Sequence, residues 1–108
     1  MPRPDAKVDA VIRELASVLA RLGEGAAYEV FSTLLTAPER RKIALRWKLV
    51  CMLEQGITQR AIATELGISL CKITRGSHEL KYGPESFRKV IRNAVGTGVS
   101  RGKIKPRR

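Results

Sequence analysis

A chain of 108 residues with 44% hydrophobic content suits one folded domain, leaves no room for two ordinary ones and argues against general disorder. Its 21 Lys and Arg residues against 10 Asp and Glu give a formal charge of +11, a surplus that favours polyanions, because neutralising phosphates releases condensed counterions. No apolar run approaches the roughly 18 residues that a membrane span needs, and Met1-Pro-Arg-Pro-Asp5 carries no signal-peptide pattern, so no membrane partner and a cytoplasmic location are expected.

Helical periodicity recurs along almost the whole chain without convincing strand alternation, which points to an all-α fold. Asp5 is placed to cap a first helix whose Val8, Val11, Ile12, Leu15, Val18, Leu19 and Leu22 form one apolar stripe, with Gly23 and Gly25 to end it. So small a monomer covers such a stripe poorly, and burial against a partner is expected. A short second helix carries Ala27, Val30, Phe31, Leu34 and Leu35. Thr36 and Glu39 then stand at capping-box spacing, and Pro38 suits a first helical turn. The third helix is expected to reach about Gln55, with Ile43, Trp47, Val50 and Leu53 inward and Gly56 as its stop.

Thr58 and Gly67 bracket a fourth helix, Ser69 and Gly76 a short fifth. A last helix opens near Pro84 and presents Phe87, Val90, Ile91, Ala94 and Val95. A helical domain over residues 1–95 is therefore expected. Over residues 96–108 glycines alternate with Arg101, Lys103, Lys105, Arg107 and Arg108, the pattern of a disordered basic tail. Such a tail is either merely solvated or a nonspecific phosphate clamp.

The stretch from about 58 to 76 has the spacing of a helix-turn-helix. Ala63 is small where two helix backbones must approach, Gly67 tolerates the positive φ of the turn, and Ile62, Leu66, Ile68 and Ile73 seal the angle. The second helix would present Leu70, Cys71 and Thr74 to a major groove, with Lys72 beside them and Ser69 at its start. Leu70 or Cys71 suits a thymine methyl and Thr74 a base edge, while Gln59 and Arg60 are placed for phosphate contact. With no Arg, Asn or Gln on that face, water-mediated or shape readout must supply part of the specificity. Cys51 and Cys71 stand apart, without metal-ligand spacing, and read as reduced, partly buried thiols. His78 is alone, and no carboxylate triad or nucleophile–base pair accompanies it, so neither an enzyme nor a metal site is expected.

The segment Ile73-Thr-Arg-Gly-Ser-His-Glu-Leu-Lys81 resembles the ITRGS-x-x-LK stretch that marks the Trp repressor family. Leu35-Thr-Ala-Pro-Glu-Arg40, Arg46 and Thr58-Gln-Arg60 also fall where that family has corresponding residues, so the resemblance runs from about Thr33 to the last helix. It implies an intertwined helical homodimer with helix-turn-helix reading heads, docked on a double-stranded operator in the manner known for this repressor. It also implies L-tryptophan as corepressor. Arg46 and Arg75 would sandwich the indole, and Thr36, at a helix N-terminus, would help hold the carboxylate. Carbonyls of Thr33 and Leu35 from the other chain would receive the ammonium, with Gly76 leaving room beside the ligand. Glu79 stands where the best-known member has a serine near the ligand's amino group, and Thr33 replaces a leucine. The function implied is a tryptophan-responsive repressor of tryptophan synthesis or uptake genes; a DNA-binding regulator answering another effector, or none, is the alternative.

Overall fold

The computed structural model describes residues 5–97. Among them are six helices and no strand: α1 (Ala6–Leu19), α2 (Glu24–Leu34), α3 (Ala37–Glu54), α4 (Gln59–Leu66), α5 (Leu70–Tyr82) and α6 (Glu85–Thr97). The expected all-α class is thus observed. The chain forms two compact units that divide between Arg40 and Arg41, within α3. α6 runs through Gly96 to Thr97, and the rest of the basic tail, from residue 98 on, lies outside the described residues.

In the first unit α1 ends at Leu19, before the glycines expected to stop it. The backbone closes this end itself. Arg21 and Leu22 donate their N–H groups to the carbonyls of Val18 and Leu19 (both 3.1 Å), tightening the last turn into i→i+3 bonds. Asp5 occupies the N-cap position but makes no side-chain cap bond; its carbonyl accepts from the Asp9 N–H at 2.9 Å. Gly25 lies inside α2 rather than in the break, with the extended Gly23 as N-cap. The Thr36–Glu39 capping box forms as expected: Thr36 N–H donates to Glu39 Oε1 (2.9 Å) and Glu39 N–H to Thr36 Oγ1 (3.3 Å). Arg40 Nη1 reaches back to the Ser32 carbonyl at 2.8 Å. Neither α1 nor α2 buries a residue.

The second unit holds the core. The C-terminal half of α3 buries four consecutive residues, Leu49, Val50, Cys51 and Met52, which requires neighbours on more than one side. Leu49 and Met52 pack with Ile62, Leu66 and Ile73 of α4 and α5. Val50 and Cys51 pack with Leu80 of α5 and Ile91 of α6. An exposed ion pair, Arg92 Nε to Glu54 Oε1 at 3.3 Å, joins α6 to the end of α3. Of the four residues expected to face inward on α3, Val50 is buried and Trp47 and Leu53 are half-buried. Ile43 remains 44% exposed. It lies a turn and a half before the four buried residues, on the part of α3 that borders a cleft instead of the core.

Gly56, at φ +83°, ends α3. Ile57 N–H bonds to the Met52 carbonyl (3.1 Å) and Gly56 N–H to the Leu53 carbonyl (3.0 Å), the paired arrangement of a Schellman motif. Gly76 does not act in this way. α5 continues through it for six more residues, so the expectation of a short helix stopped there is corrected. Positive φ is confined to Gly56 and Gly67 among the described residues, and Gly76 keeps helical geometry for a packing reason. A Cβ built on it would stand 2.7 Å from Leu49 Cδ2, so the lack of a side chain is what lets α5 lie close against α3.

Candidate functional site

α4 and α5 are each capped at the N-terminus, and Gly67 makes the turn between them. Thr58 Oγ1 accepts from the Ala61 N–H (3.2 Å) and Ser69 Oγ from the Lys72 N–H (3.4 Å), so each helix has the N-cap expected of it. Gly67 adopts the left-handed conformation, φ 65° and ψ 37°, and its N–H closes on the Ala63 carbonyl at 2.9 Å. Ile62 and Ile73 are wholly buried, Leu66 nearly so, and Ala63 and Ile68 pack against them. The small and aliphatic residues singled out from the spacing therefore do meet at one interface.

The residues expected to face nucleic acid are left outside it. Gln59, Arg60, Ser69, Leu70, Cys71, Lys72 and Thr74 are all exposed, Leu70 with 55% of its surface. Thr74 Oγ1 donates to the Leu70 carbonyl at 3.0 Å, which fixes its hydroxyl hydrogen and leaves oxygen lone pairs to accept from a base or a water. Of the two free cysteines, Cys71 is exposed and Cys51 buried, so neither is the partly buried thiol expected.

Beside this surface lies a cleft of about 610 Å³, a size that suits a small ligand. α3 contributes Arg46 to its lining and α5 contributes Arg75, Gly76 and Glu79, so the four ligand-site residues expected in this unit share one cavity. Lys72, expected to face DNA, also borders it, at the position on α5 from which Arg75, Gly76 and Glu79 follow three, four and seven residues later. The remaining lining is mainly apolar, from Ile43, Leu45, Trp47, Leu49, Val50, Ile68 and Phe87. Lys42 adds a further cation. It precedes Arg46 by one turn on α3, a spacing that marks it as a neighbour in sequence terms; Phe87 comes from α6 and has no such local signal. Thr33, Leu35 and Thr36 belong to the N-terminal unit: Thr33 near the end of α2, Leu35 as its C-cap, and Thr36 in the capping box of α3. Among the described residues no cluster of His, Cys, Asp or Glu has the makings of a metal site, and no helix is long and apolar enough to cross a membrane.

Comparison with known proteins decides the lineage. A family model described as Trp repressor protein matches residues 8–95. The chain belongs to the Trp repressor family. Among curated proteins, a Trp operon repressor homolog of Chlamydia trachomatis is 35% identical over 68 residues, covering 62% of this chain and 72% of the relative. One of Chlamydia caviae is 38% identical over 69 residues, covering 63% and 68%. A third, of Histophilus somni, is 40% identical over 65 residues, covering 59% and 61%. No solved structure matches the chain significantly. The family match thus takes in α2 and α1 from Val8 onward, upstream of Thr33, where the resemblance carried by the motifs begins.

Proposed function

We propose that this chain is a sequence-specific DNA-binding transcriptional repressor that responds to L-tryptophan and controls genes of tryptophan synthesis or uptake. One observation carries the reading: α5 borders the cleft through Lys72, Arg75, Gly76 and Glu79 while Leu70, Cys71 and Thr74 of the same helix stand exposed. A ligand held between α3 and α5 would therefore set the position of the element that reads DNA. Such a ligand shifts the equilibrium only by its differential affinity for the DNA-competent arrangement.

In this reading α4 and α5 form a helix-turn-helix. Leu70, Cys71 and Thr74 meet the major groove with Lys72 beside them and Ser69 at the start of the helix, and Gln59 and Arg60 meet phosphates. Arg46 and Arg75 flank the indole and Gly76 borders it; Thr36 helps hold the carboxylate, and the carbonyls of Thr33 and Leu35 come from a second chain. A homodimer is the natural form. α1 and α2 bury nothing while leaving Val8, Val11, Ile12, Val18, Phe31 and Leu34 more than 40% exposed, an apolar content that calls for a covering partner. The net charge of +11 supplies nonspecific attraction to DNA. The family is one of regulators, so no catalysis is assigned.

Calorimetric titration of L-tryptophan tests the reading, with Arg75→Ala as control. Saturable binding of one ligand per chain, lost in the variant, is expected, together with tighter binding of a selected operator when tryptophan is present. No heat at several temperatures from folded protein would refute the tryptophan response. Glu79, a carboxylate where the family's best-known member has serine, favours a second reading in that event, a regulator with a different effector.

A further inference from the structure

α5 runs on past Gly76 to Tyr82, and the added turns carry a ring pair. The rings of His78 and Tyr82 meet with their centroids 4.9 Å apart and their planes at 49°, a separation at which stacked rings attract. Neither ring fills the core: His78 is exposed, and Tyr82 shows 74% of its surface. The Tyr82 hydroxyl has no hydrogen-bond partner among the described residues. At 3.6 residues per turn, the face of α5 that carries Leu70, Cys71 and Thr74 carries His78 and Tyr82 farther along. Lys81 flanks that face on one side and Arg75 on the other, while the one carboxylate of the helix, Glu79, borders the cleft instead.

We propose that Tyr82, held in place by the His78 ring, contacts the sugar–phosphate backbone at the lip of the major groove that Leu70 and Thr74 enter. The inference rests on the DNA reading proposed above and extends that interface along α5. Helical side chains lean toward the N-terminus, so both rings point back along α5 toward Leu70. His78 lies eight residues beyond Leu70, about 12 Å along the axis. A major groove is about 8.5 Å deep. With Leu70 at the base edges, the ring pair therefore stands level with the backbone and not with the bases. A phosphate there meets a face whose flanking charges are both positive, and its oxygens accept from a phenol O–H. A lone exposed tyrosine would sweep several rotamers. Packing against His78 keeps the hydroxyl near one position and lowers the entropy lost on binding. Tyr82 is the contacting residue and His78 its positioning residue.

The test uses the full chain and an operator selected from random duplexes with and without L-tryptophan, with ethylation interference to locate the phosphates that matter. Three variants are compared, Tyr82→Phe, His78→Ala and His78→Phe, and matching melting curves establish that all are folded. Tyr82→Phe keeps the ring pair and removes only the hydroxyl. It is expected to weaken operator binding about fivefold, the worth of one hydrogen bond, and to erase interference at one phosphate in each half-site. His78→Ala is expected to weaken interference at that same phosphate, and His78→Phe, which restores an aromatic platform, to recover it. Unchanged affinity and interference in Tyr82→Phe would overturn the contact and leave the helix-turn-helix reading standing. So would an altered sedimentation of DNA-free Tyr82→Phe at wild-type affinity for DNA, which would assign the pair to contact between copies of the chain. Binding as weak in His78→Phe as in His78→Ala would overturn the positioning role. Folded wild type that selects no duplex would overturn the DNA reading and this inference with it.

Discussion

Replacing Gly76 with alanine sets two effects of known size against each other. Gly76 lies mid-helix in α5, where alanine is favoured over glycine by about 1 kcal/mol. The new Cβ, however, would meet Leu49 Cδ2 at 2.7 Å and Cγ at 3.1 Å, with Leu53 Cδ1 at 3.8 Å. Carbon atoms pack best at about 3.5–4.0 Å. A surface leucine would swing aside, but Leu49 is 3% exposed and packed with Met52, Ile62 and Ile73. Relief would have to come from a shift of α5 or from disturbing that cluster, and overpacking of this kind costs about 1–3 kcal/mol. The second effect wins. Net destabilisation of about 1 kcal/mol is expected, a fall of roughly 4–8 °C in Tm for a domain of this size.

Gly96→Ala is the matched control. Gly96 also lies in a helix, α6, and nothing stands within 4 Å of the point a Cβ would occupy there, so alanine should gain a few tenths of a kcal/mol to about 1 kcal/mol. Thermal and urea melts followed by circular dichroism, at one protomer concentration because an oligomer's stability depends on it, compare the two. Gly76→Ala as stable as Gly96→Ala would refute the packing account. A double-mutant cycle gives a sharper check. Shortening Leu49 to valine should make Gly76→Ala less harmful than in the wild type, with a coupling of about 0.5 kcal/mol or more. Simple additivity would mean that the two side chains do not compete for the same space.

Gly67→Ala places a Cβ at φ 65°, and is expected to cost about 1–2 kcal/mol in urea melts; an unchanged midpoint would mean that the turn relaxes to another conformation. Arg60→Ala should weaken binding to operator and random DNA alike and reduce the salt slope by about one, whereas Thr74→Ala should mainly reduce operator preference. Equal losses on both DNAs for both variants, measured by fluorescence anisotropy across a salt series, would refute that division of labour.

The parts of the molecule legible in the sequence are those fixed by near neighbours. The Thr36–Glu39 box, the Thr58 and Ser69 caps and the left-handed Gly67 follow from chemistry within four residues, and each is found as the spacing implies. Gly76 shows the limit of such rules. Read locally, a glycine after one apolar turn is a stop; in the fold its meaning is set by Leu49, 27 positions earlier, whose side chain fills the space a Cβ would need. Leu80 is hidden by the same reading: with the helix ended at Gly76 it belongs to no element, but once α5 runs on it lies seven residues after Ile73 on the same face and packs with Val50, Cys51 and Ile91. The cleft divides in the same way. Arg46, Arg75, Gly76 and Glu79 are legible through family resemblance, but Ile43 and Phe87 line it only because α3, α5 and α6 converge there.

That convergence also bears on how a ligand would act. α3 buries its C-terminal half against α4, α5 and α6, so it serves as the fixed member of the second unit. α5 is held to it by Ile73 and Leu80 on the buried side, and the cleft opens where cationic and polar residues replace aliphatic ones along the two helices. Gly76 on Leu49 pins the inner part of that edge, whereas Lys42, Arg46, Lys72 and Arg75 are exposed and their like charges oppose closure of its outer part. The carboxylate of a bound amino acid would offset part of that repulsion while its ring fills the apolar lining. A hundredfold effect on operator affinity needs only about 2.7 kcal/mol of preference for the closed arrangement, within the range of known coupling energies.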